Sequence, residues 1–402
     1  MDKKKEISAP KELDKAFFAN ALQNGLHEHH IEVRRIKFSW ESGDGEKQSC
    51  SQIYRVFLVY AKNEQLDPDV ISVMVKVTPI QEGLDLLDAI HVFNKEKWLL
   101  MDIIPHFEIL LNDIKFAPRC YYATNSPLQA LVLEDMDRFG FQMGNMESGL
   151  DERHTKFALK KLAQFHAVSM VFAKKRPAMM ADYNKGLLDP KVINKSTSFY
   201  KMLRKHLGYV IMLTLDWEGF EDITKKLEEF HKNFESRILA CQQHSPGDIK
   251  VLNHGDFWVN NLLFKYDPRN NPVDLMFLDF QMSIYASLGF DLNYFLFASV
   301  QLEVLERWKN LLEVYHASLR DTLTELSYSD IPTYAEIEKE FKRKSAYGLF
   351  TLIGPLTIMY MEGISFEKLV VSVCNNEGIS KCKRYIECLK YSLLELDKMG
   401  AF

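Results

Sequence analysis

The chain has 402 residues, of which 47% are hydrophobic and 26% are charged, with only 18 glycines and 13 prolines. This composition excludes disordered, collagen-like and disulfide-scaffold proteins, and at about 150 residues per domain the length predicts two to three units. The formal net charge of −5 gives no overall attraction to nucleic acid or to anionic lipid, so neither partner is expected.

The cysteines and the apolar segments bear on the compartment. The six cysteines lack the two-residue spacing of zinc or redox pairs, so reduced thiols and a cytoplasmic location are expected. The N-terminal sequence MDKKKEISAPKELDK is charged and predicts no signal peptide. The longest apolar stretch, residues 346–361, is interrupted by Gly348 and Gly354 and is too short for a membrane span. A buried helix pair is predicted there.

The first part of the chain is predicted to be mostly β-structure. Residues 1–30 are interpreted as an N-terminal helical extension, and residues 31–136 as a nucleotide-binding lobe with one helix near 84–104. The predicted strands are IEVRRIKFSW, QIYRVFLVYA, DVISVMVKVTP and QALVLEDM. A sheet with one key helix is the simplest interpretation.

After Met136 the apolar residues take helical spacing, and residues 137–402 are predicted to form a larger, mainly helical lobe. The predicted helical segments are 151–174, 219–243, 286–326, 333–361 and 377–399. Within this lobe only VNNLLFKYD and DLMFLDFQ are expected to be strands. The fold class is therefore α+β, with two lobes that meet near residues 135–140.

Polar residues suited to phosphoryl transfer are concentrated in VLNHGDFWVNNLLFKYD and in the DLMFLDFQ strand. The pattern His254-x-Asp256-x4-Asn261, with Asp279 eighteen residues further on, matches the base, amide ligand and metal carboxylate of phosphotransferases. Asp256 is the candidate base, and Asn261 and Asp279 are candidate Mg²⁺ ligands because hard cations prefer oxygen. The alternative is that Asp256 and Asn261 cap a turn and Asp279 is a satisfied core acid.

A lysine and a glutamate complete this pattern. Lys76 alternates with Val75 and Val77 and therefore projects from the opposite face of its strand, where a nucleotide phosphate would offset its burial. Glu96 lies within an apolar helical stripe, so a buried ion pair with Lys76 is predicted. The alternatives are a lysine at a sheet edge and a solvated helix acid.

Three further polar residues are assigned supporting roles. His254 is expected to hydrogen-bond the backbone and hold its loop, and His166 to be a satisfied core histidine. Asp291, after a glycine, is expected to cap a helix and support the catalytic loop from behind. The aromatic side chains of the second lobe are expected to be mainly core, with a few available to line an apolar acceptor site.

Four segments carry a family resemblance: LVLEDM, LAQFHAVS, HGDFWVNN and LDFQ. They resemble the ecdysteroid kinase-like family of insects, which is grouped with aminoglycoside and choline phosphotransferases in the protein-kinase-like fold. The resemblance extends over roughly residues 30 to 400. It implies ATP- and Mg²⁺-dependent phosphorylation of a small-molecule hydroxyl.

The resemblance also implies site roles. Asp256 would be catalytic, Asn261 and Asp279 would bind Mg²⁺, and Lys76, positioned by Glu96, would bind phosphate. Glu134 to Met136 would form the adenine-binding hinge. The loop GDGEKQSCS looks like the phosphate loop, although it lacks G-x-G-x-x-G and a plain hairpin turn is the alternative. Its candidate contacts are Gly43, Gly45 and Ser49.

The acceptor expected from the resemblance is an apolar alcohol such as an ecdysteroid, another steroid or a xenobiotic. A protein kinase is disfavoured because the loop has H-G-D instead of H-R-D, and neither D-F-G nor A-P-E occurs. The competing hypothesis is a catalytically silent kinase-fold protein that binds a hydrophobic ligand.

Overall fold

The computed structural model describes residues 9–41, 51–63, 67–78, 90–145, 148–195, 197–243, 245–354, 356 and 383–402. In these residues an antiparallel five-stranded sheet with the order β1-β2-β3-β5-β4 precedes a mainly helical region. The strands are β1 (Ile31–Glu41), β2 (Gln52–Lys62), β3 (Asp69–Thr78), β4 (Cys120–Thr124) and β5 (Gln129–Glu134). The predicted α+β fold class is confirmed.

One face of this sheet is covered by helix α1 (Lys15–Leu26), which lies inside the predicted N-terminal extension. The Asp14 carboxylate caps α1 by accepting the Phe17 N–H at 2.8 Å. Phe18 and Leu22 are buried against Val56 and other side chains of the sheet. The alternation within the strands places the apolar residues on this face and leaves the other face for the cleft.

The helix after β3 departs from its predicted boundary. It comprises α2 (Val92–Trp98), a π-helical turn (Leu99–Ile103) and α3 (Ile104–Leu110), so the predicted end at residue 104 is wrong. Pro105 has no N–H for the next i to i−4 bond, and the Ile104 N–H bonds Leu99 O, five residues back. Pro105 is therefore accommodated by one wider, π-helical turn, and the helix continues beyond it.

The remaining helices build the second lobe. They are α4 (Glu152–Lys175), α5 (Pro177–Ala181), α6 (Ser198–Leu215), α7 (Glu221–Lys232), α8 (Phe234–Gln242), α9 (Gly289–Ser299), α10 (Leu302–Leu305), α11 (Trp308–Glu325), α12 (Tyr334–Arg343), α13 (Ser345–Ile353) and α14 (Lys383–Lys398). Helix α13 is buried, as predicted for the start of the long apolar stretch. Among the described residues, no helix combines the length and apolarity needed to cross a membrane.

Two small antiparallel sheets lie among these helices and hold the polar motifs. Strands β6 (Phe141–Met143), β8 (Leu262–Tyr266) and β9 (Pro272–Phe277) form one sheet, and β7 (Lys250–Asn253) pairs with β10 (Ile284–Ser287). The two predicted strands of this lobe are confirmed as β8 and β9. Strands β4, β6, β7 and β10 and helix α6 were not predicted.

The packing shows how the lobes are connected. The sheet and α1 share one apolar core, whereas the apolar residues of α2, the π turn and α3 join the core of the helical lobe. Phe107, for example, packs edge-on against Phe165 and Phe172 of α4. The helix that carries Glu96 is therefore held by the second lobe while it faces the sheet of the first.

Candidate active site

A cleft of about 720 Å³ lies between the five-stranded sheet and the helical lobe. Its lining includes side chains from β2, β3, β5, α2 and the segments before β8 and after β9. Six of the residues predicted for the site line it: Lys76, Glu96, Glu134, Met136, Asn261 and Asp279. The predicted Gly43, Gly45 and Ser49 lie outside the described residues.

Lys76 is the centre of a buried cluster of charges. Its Nζ is 2.7 Å from Glu96 Oε2 and 2.7 Å from Asp279 Oδ1. Val75 and Val77 on the opposite face belong to the sheet core, as the alternation predicts. Burial lowers the pKa of Lys76, but the two carboxylates outweigh burial and raise it above its ordinary value. The lysine is therefore charged, and the predicted ion pair with Glu96 is confirmed.

Glu96 ties two elements together. Its side chain is 3% exposed, and its carboxylate accepts the Phe280 N–H as well as the Lys76 ammonium. Phe280 directly follows Asp279, so Glu96 fixes the helix α2 to the segment that carries the second carboxylate. A buried carboxylate needs such compensation because desolvation is costly.

Asp279 has an unusual backbone conformation. Its φ of 65° and ψ of 67° are in the left-handed region, which a non-glycine residue adopts at a cost of about 1–3 kcal/mol. The turn directs its carboxylate into the cleft, where Oδ1 meets Lys76 and Oδ2 accepts a hydrogen bond from Gln281 Nε2 at 3.3 Å. These two contacts hold a carboxylate that is 29% exposed.

Asp256 is held by two neighbours. Tyr294 donates its hydroxyl to Oδ1 at 2.5 Å, and Asn261 Nδ2 donates to Oδ2 at 3.0 Å and to the Asp256 carbonyl at 2.8 Å. Burial, followed by repulsion from Asp279, raises the pKa of Asp256 to about 6, although both hydrogen bonds oppose the rise. The group is still mainly ionised at neutral pH and can accept a proton.

The loop that carries Asp256 is supported from behind by Asp291. The carboxylate of Asp291 accepts the N–H groups of His254 at 2.6 Å and Gly255 at 2.9 Å. The predicted support is confirmed, but the predicted cap is wrong, because α9 begins at Gly289 and Asp291 lies in its first turn. The Asp291 carboxylate hydrogen-bonds the neighbouring loop and does not cap the N-terminus of α9.

Gly255 and His254 fix the shape of this loop. Gly255 has φ +81°, and a Cβ there would lie 2.0 Å from the carbonyl oxygen of Met282, so only glycine fits. His254 is fully buried and its Nε2 lies 2.9 Å from Leu278 O, which confirms its predicted structural role. These contacts hold the Asp256 and Asp279 segments side by side.

His166 is a satisfied core histidine, as predicted. Its Nδ1 lies 2.7 Å from the Tyr315 hydroxyl and its Nε2 lies 3.1 Å from Asp291 Oδ2. The ring is fully buried and does not line the cleft. Through Asp291 it belongs to the support of the loop that carries Asp256.

Asp135, within the predicted hinge, has polar partners that the sequence analysis did not name: Ser72, Arg55 and, through Arg55, Asp137. Asp135 accepts the Ser72 hydroxyl, and Arg55 Nε lies 3.1 Å from its Oδ2. Nη1 of the same arginine lies 3.1 Å from Asp137 Oδ2. Register pairs Ile53 of β2 with Lys76 of β3, so alternate β2 positions such as Arg55 share the cleft face. That alternation was the available signal.

Tyr294 was also missed as a site residue. It was predicted as core, and it is 3% exposed, but its hydroxyl contacts Asp256. Phe290, Tyr347 and Phe350 form an aromatic group with it, in which the Tyr294 and Tyr347 ring centres are 6.1 Å apart. Tyr294 and Asp256 are 38 residues apart in the sequence, so no local pattern could predict their contact.

This arrangement, in which an N-terminal antiparallel sheet and helix supply a Lys–Glu pair to a cleft and an H-G-D loop lies beside Asn261 and Asp279, defines a kinase-like protein. The model of the ecdysteroid kinase-like family matches residues 45–328. The chain therefore belongs to the ecdysteroid kinase-like family, and the predicted resemblance is confirmed. A comparison with curated proteins finds no match.

Solved structures with some similarity include an aminoglycoside phosphotransferase from Alicyclobacillus acidocaldarius, with 12% identity, 91% of this chain and 93% of that chain covered, and a TM-score of 0.38. An ADP-bound aminoglycoside phosphotransferase, APH(2'')-Ib, has 15% identity, covers 92% and 95%, and has a TM-score of 0.40. A glucosamine kinase complex with glucosamine, ADP and phosphate has 10% identity, covers 90% and 99%, and has a TM-score of 0.30.

Proposed function

We propose that the protein is an ATP- and Mg²⁺-dependent small-molecule kinase that transfers the γ-phosphoryl group to a hydroxyl of an apolar alcohol. The observation that carries the proposal is the separation of two carboxylates by environment. Asp279 is paired with the Lys76 ammonium, whereas Asp256 has only neutral hydrogen-bond donors and a raised pKa. One suits cation binding and the other suits proton transfer.

The nucleotide is proposed to bind in the cleft. Lys76, held by Glu96, would contact its phosphates, and the segment Glu134 to Met136 would contact the adenine. Met136 begins a 3₁₀ helix (Met136–Phe139), so its N–H has no acceptor within that helix and remains available to a base. Gly43, Gly45 and Ser49 remain the proposed phosphate-loop contacts.

Mg²⁺ would be held by Asn261 and Asp279, and the donor set fits this ion. Asn261 uses its amide nitrogen on Asp256, and among the described residues its amide oxygen has no hydrogen-bond partner. A carboxylate and an amide oxygen suit a cation that also keeps water and phosphate ligands. When bound, the ion neutralises charge on the phosphoryl oxygens.

Asp256 is proposed to act as the general base. The acceptor hydroxyl would give its proton to Asp256 as its oxygen bonds the γ-phosphorus, while the bond between that phosphorus and the bridging oxygen breaks and ADP leaves. Tyr294 and Asn261 hold one carboxylate oxygen each and so fix the orientation of the group. Lys76 would balance charge on the departing phosphates.

Two observations support an apolar acceptor such as an ecdysteroid, another steroid or a xenobiotic alcohol. The chain belongs to the ecdysteroid kinase-like family. In addition, the aromatic group of Phe290, Tyr294 and Tyr347 contacts the proposed base, because the Tyr294 hydroxyl hydrogen-bonds Asp256. ATP as the phosphoryl donor agrees with the cytoplasmic location that the sequence predicts.

The test is direct phosphoryl transfer. Purified protein is incubated with γ-labelled ATP, Mg²⁺ and a panel of ecdysteroids, sterols, phenolic alcohols, aminoglycosides and choline, and the products are separated. We expect label on an apolar alcohol and none with the Asp256→Asn variant. Label only on cationic acceptors would refute the apolar acceptor, and nucleotide binding without transfer to any alcohol would favour the silent binding protein.

A further inference from the structure

A second pocket, remote from the catalytic cleft, is lined mostly by cations. It has a volume of about 490 Å³ and lies between α6, α7 and the segment before α6. The lining residues are Lys195, Tyr200, Lys201, Arg204, Lys205, His231 and Lys232. None of them is a carboxylate, although the chain as a whole has an excess of acids.

The cations of α6 lie on one face of the helix. Lys201, Arg204 and Lys205 follow the i, i+3, i+4 spacing that brings side chains together. In the described part of the chain none of the three has a carboxylate within ion-pair distance, whereas Lys195 and Lys232 are paired with Glu235 and Glu229 at 3.8 and 3.4 Å. Like charges at this spacing repel one another, so a bound anion would stabilise the helix.

The pocket also has a fixed polar group. Tyr200 is 5% exposed and its ring packs on Phe234 with centroids 5.4 Å apart. Within the described residues its hydroxyl has no hydrogen-bond partner, and it is not among the buried oxygens that lack one, so it reaches the open space of the pocket. A hydroxyl held beside exposed cations is suited to a ligand oxygen.

His231 closes the floor of the pocket. Its Nε2 lies 3.1 Å from Arg204 O, which ties α7 to α6 at this point. Burial, and then the charge of Arg204, lower the pKa of His231, which is consistent with a positive local potential. His231 and the Tyr200 ring are thus held by contacts within the protein, while the lysine and arginine ends are exposed to a ligand.

We propose that this pocket binds a small organic polyanion that carries two or more phosphate or sulfate groups. Unpaired ammonium and guanidinium groups form their strongest hydrogen bonds with such oxyanions. The volume lies within the range of about 300–1,000 Å³ typical of ligand pockets and exceeds the need of a single phosphate. The proposal is independent of the proposed kinase activity, since the pocket shares no residue with the cleft.

The test is calorimetric titration with myo-inositol hexakisphosphate, with and without saturating ADP. The Lys201→Gln/Lys205→Gln variant should lose about a hundredfold in affinity, taking about tenfold for each charged hydrogen bond. Tyr200→Phe should lose about fivefold while the fold is kept. The matched control is Lys156→Gln/Lys160→Gln, with the same spacing on α4, which should bind like the parent.

Several outcomes would overturn the proposal. These are no binding by the parent at about 1 mM probe, an equal loss in the control variant, or displacement of the probe by ADP. A sedimentation arm uses vesicles of phosphatidylcholine with and without phosphatidylserine. Binding to the anionic vesicles without binding of the free probe would assign the pocket to a membrane surface instead.

Discussion

Replacing Lys76 by Met tests the buried charge cluster most directly. The change removes the ammonium that lies 2.7 Å from both carboxylates and leaves Glu96, 3% exposed, without a cation. Breaking a buried pair from one side costs about 3–5 kcal/mol. Most of that cost should come from Glu96, because Asp279, at 29% exposed, can be hydrated. Since domains are stable by about 5–15 kcal/mol, the effect is large.

The matched control is Lys62→Met on the adjacent strand. Lys62 pairs with Glu28 at 3.1 Å, but both side chains are about one-third exposed, at 33% and 34%. Such an exposed pair contributes little to stability because water screens the charges. Urea unfolding followed by fluorescence measures both variants, together with Glu96→Gln and the Lys76→Met/Glu96→Gln double variant. The double variant should cost about 0.5–3 kcal/mol less than the sum of its singles, because a neutral Gln needs no counterion.

The stability of the Lys76→Met variant as a function of pH provides an independent test of the buried pair. Burial already raises the pKa of Glu96 in the parent, although Lys76 opposes the rise, and loss of the ammonium should raise it further above the unfolded value of about 4.3, so the folded variant binds a proton that the unfolded state does not. The variant should therefore regain stability as the pH falls from 7 toward that value. In the parent, the raised pKa of Lys76 keeps its contribution through neutral pH, to be lost only in strong alkali. Equal costs for Lys76→Met and Lys62→Met, or strictly additive singles, would refute the buried pair as an energetic unit.

Four further changes separate the remaining roles. Asp256→Asn should keep Mg-ATP affinity and lose about 10²–10⁴ in single-turnover transfer, and the parent kcat/KM should fall as the pH drops through about 6, because the base must be ionised. Asp279→Asn should lose Mg²⁺-dependent ATP affinity in a titration with and without the metal; undiminished affinity would remove it from the metal site. Gly255→Ala should abolish transfer and lower the melting temperature, because its Cβ would meet the Met282 carbonyl; a parent-like melting curve would contradict this. Burial lowers the pKa of His206 to about 4, against about 6.5 in the unfolded chain. The free energy of unfolding should therefore be fully retained above pH 6.5 and fall by about 3 kcal/mol as the pH drops toward 4, because the unfolded state takes up the proton first. The His206→Gln variant should lack this part of the acid sensitivity when urea midpoints are measured against pH.

The residues of the cleft that sequence could predict are those set by local pattern. Lys76 follows from strand alternation, and Asp256, Asn261 and Asp279 follow from a short motif between two strands. Glu96 follows from its place in an apolar stripe. In each case the information lies within a few residues of the side chain, because periodicity alone decides which face it takes.

Tertiary contacts account for what could not be predicted. Tyr294 reaches Asp256 from another element, and its sequence surroundings in α9 are buried all round, so no polar face marks it. Strand β4 has only five residues and is defined by its pairing with β5. The second half of α6, from Tyr209 to Leu215, is apolar on most sides and hides the helical period. The end of the helix after β3 depended on how Pro105 is accommodated.

The Asp279 and Asp256 carboxylates differ because of their partners. Asp279 is neutralised by an ammonium from the sheet, while Asp256 is buried among donors of its own lobe and repelled by Asp279. If the Lys76 ammonium pairs with nucleotide phosphates instead of with Asp279, the Asp279 carboxylate becomes available to a cation. Glu96 holds the lysine in place during this change of partner. Neutralising Asp279 also removes the repulsion that raises the Asp256 pKa, so a bound cation would keep the base ionised at lower pH. The ion pair between Lys76 and Asp279 thus brings together the group proposed to bind phosphate and a group proposed to bind the cation.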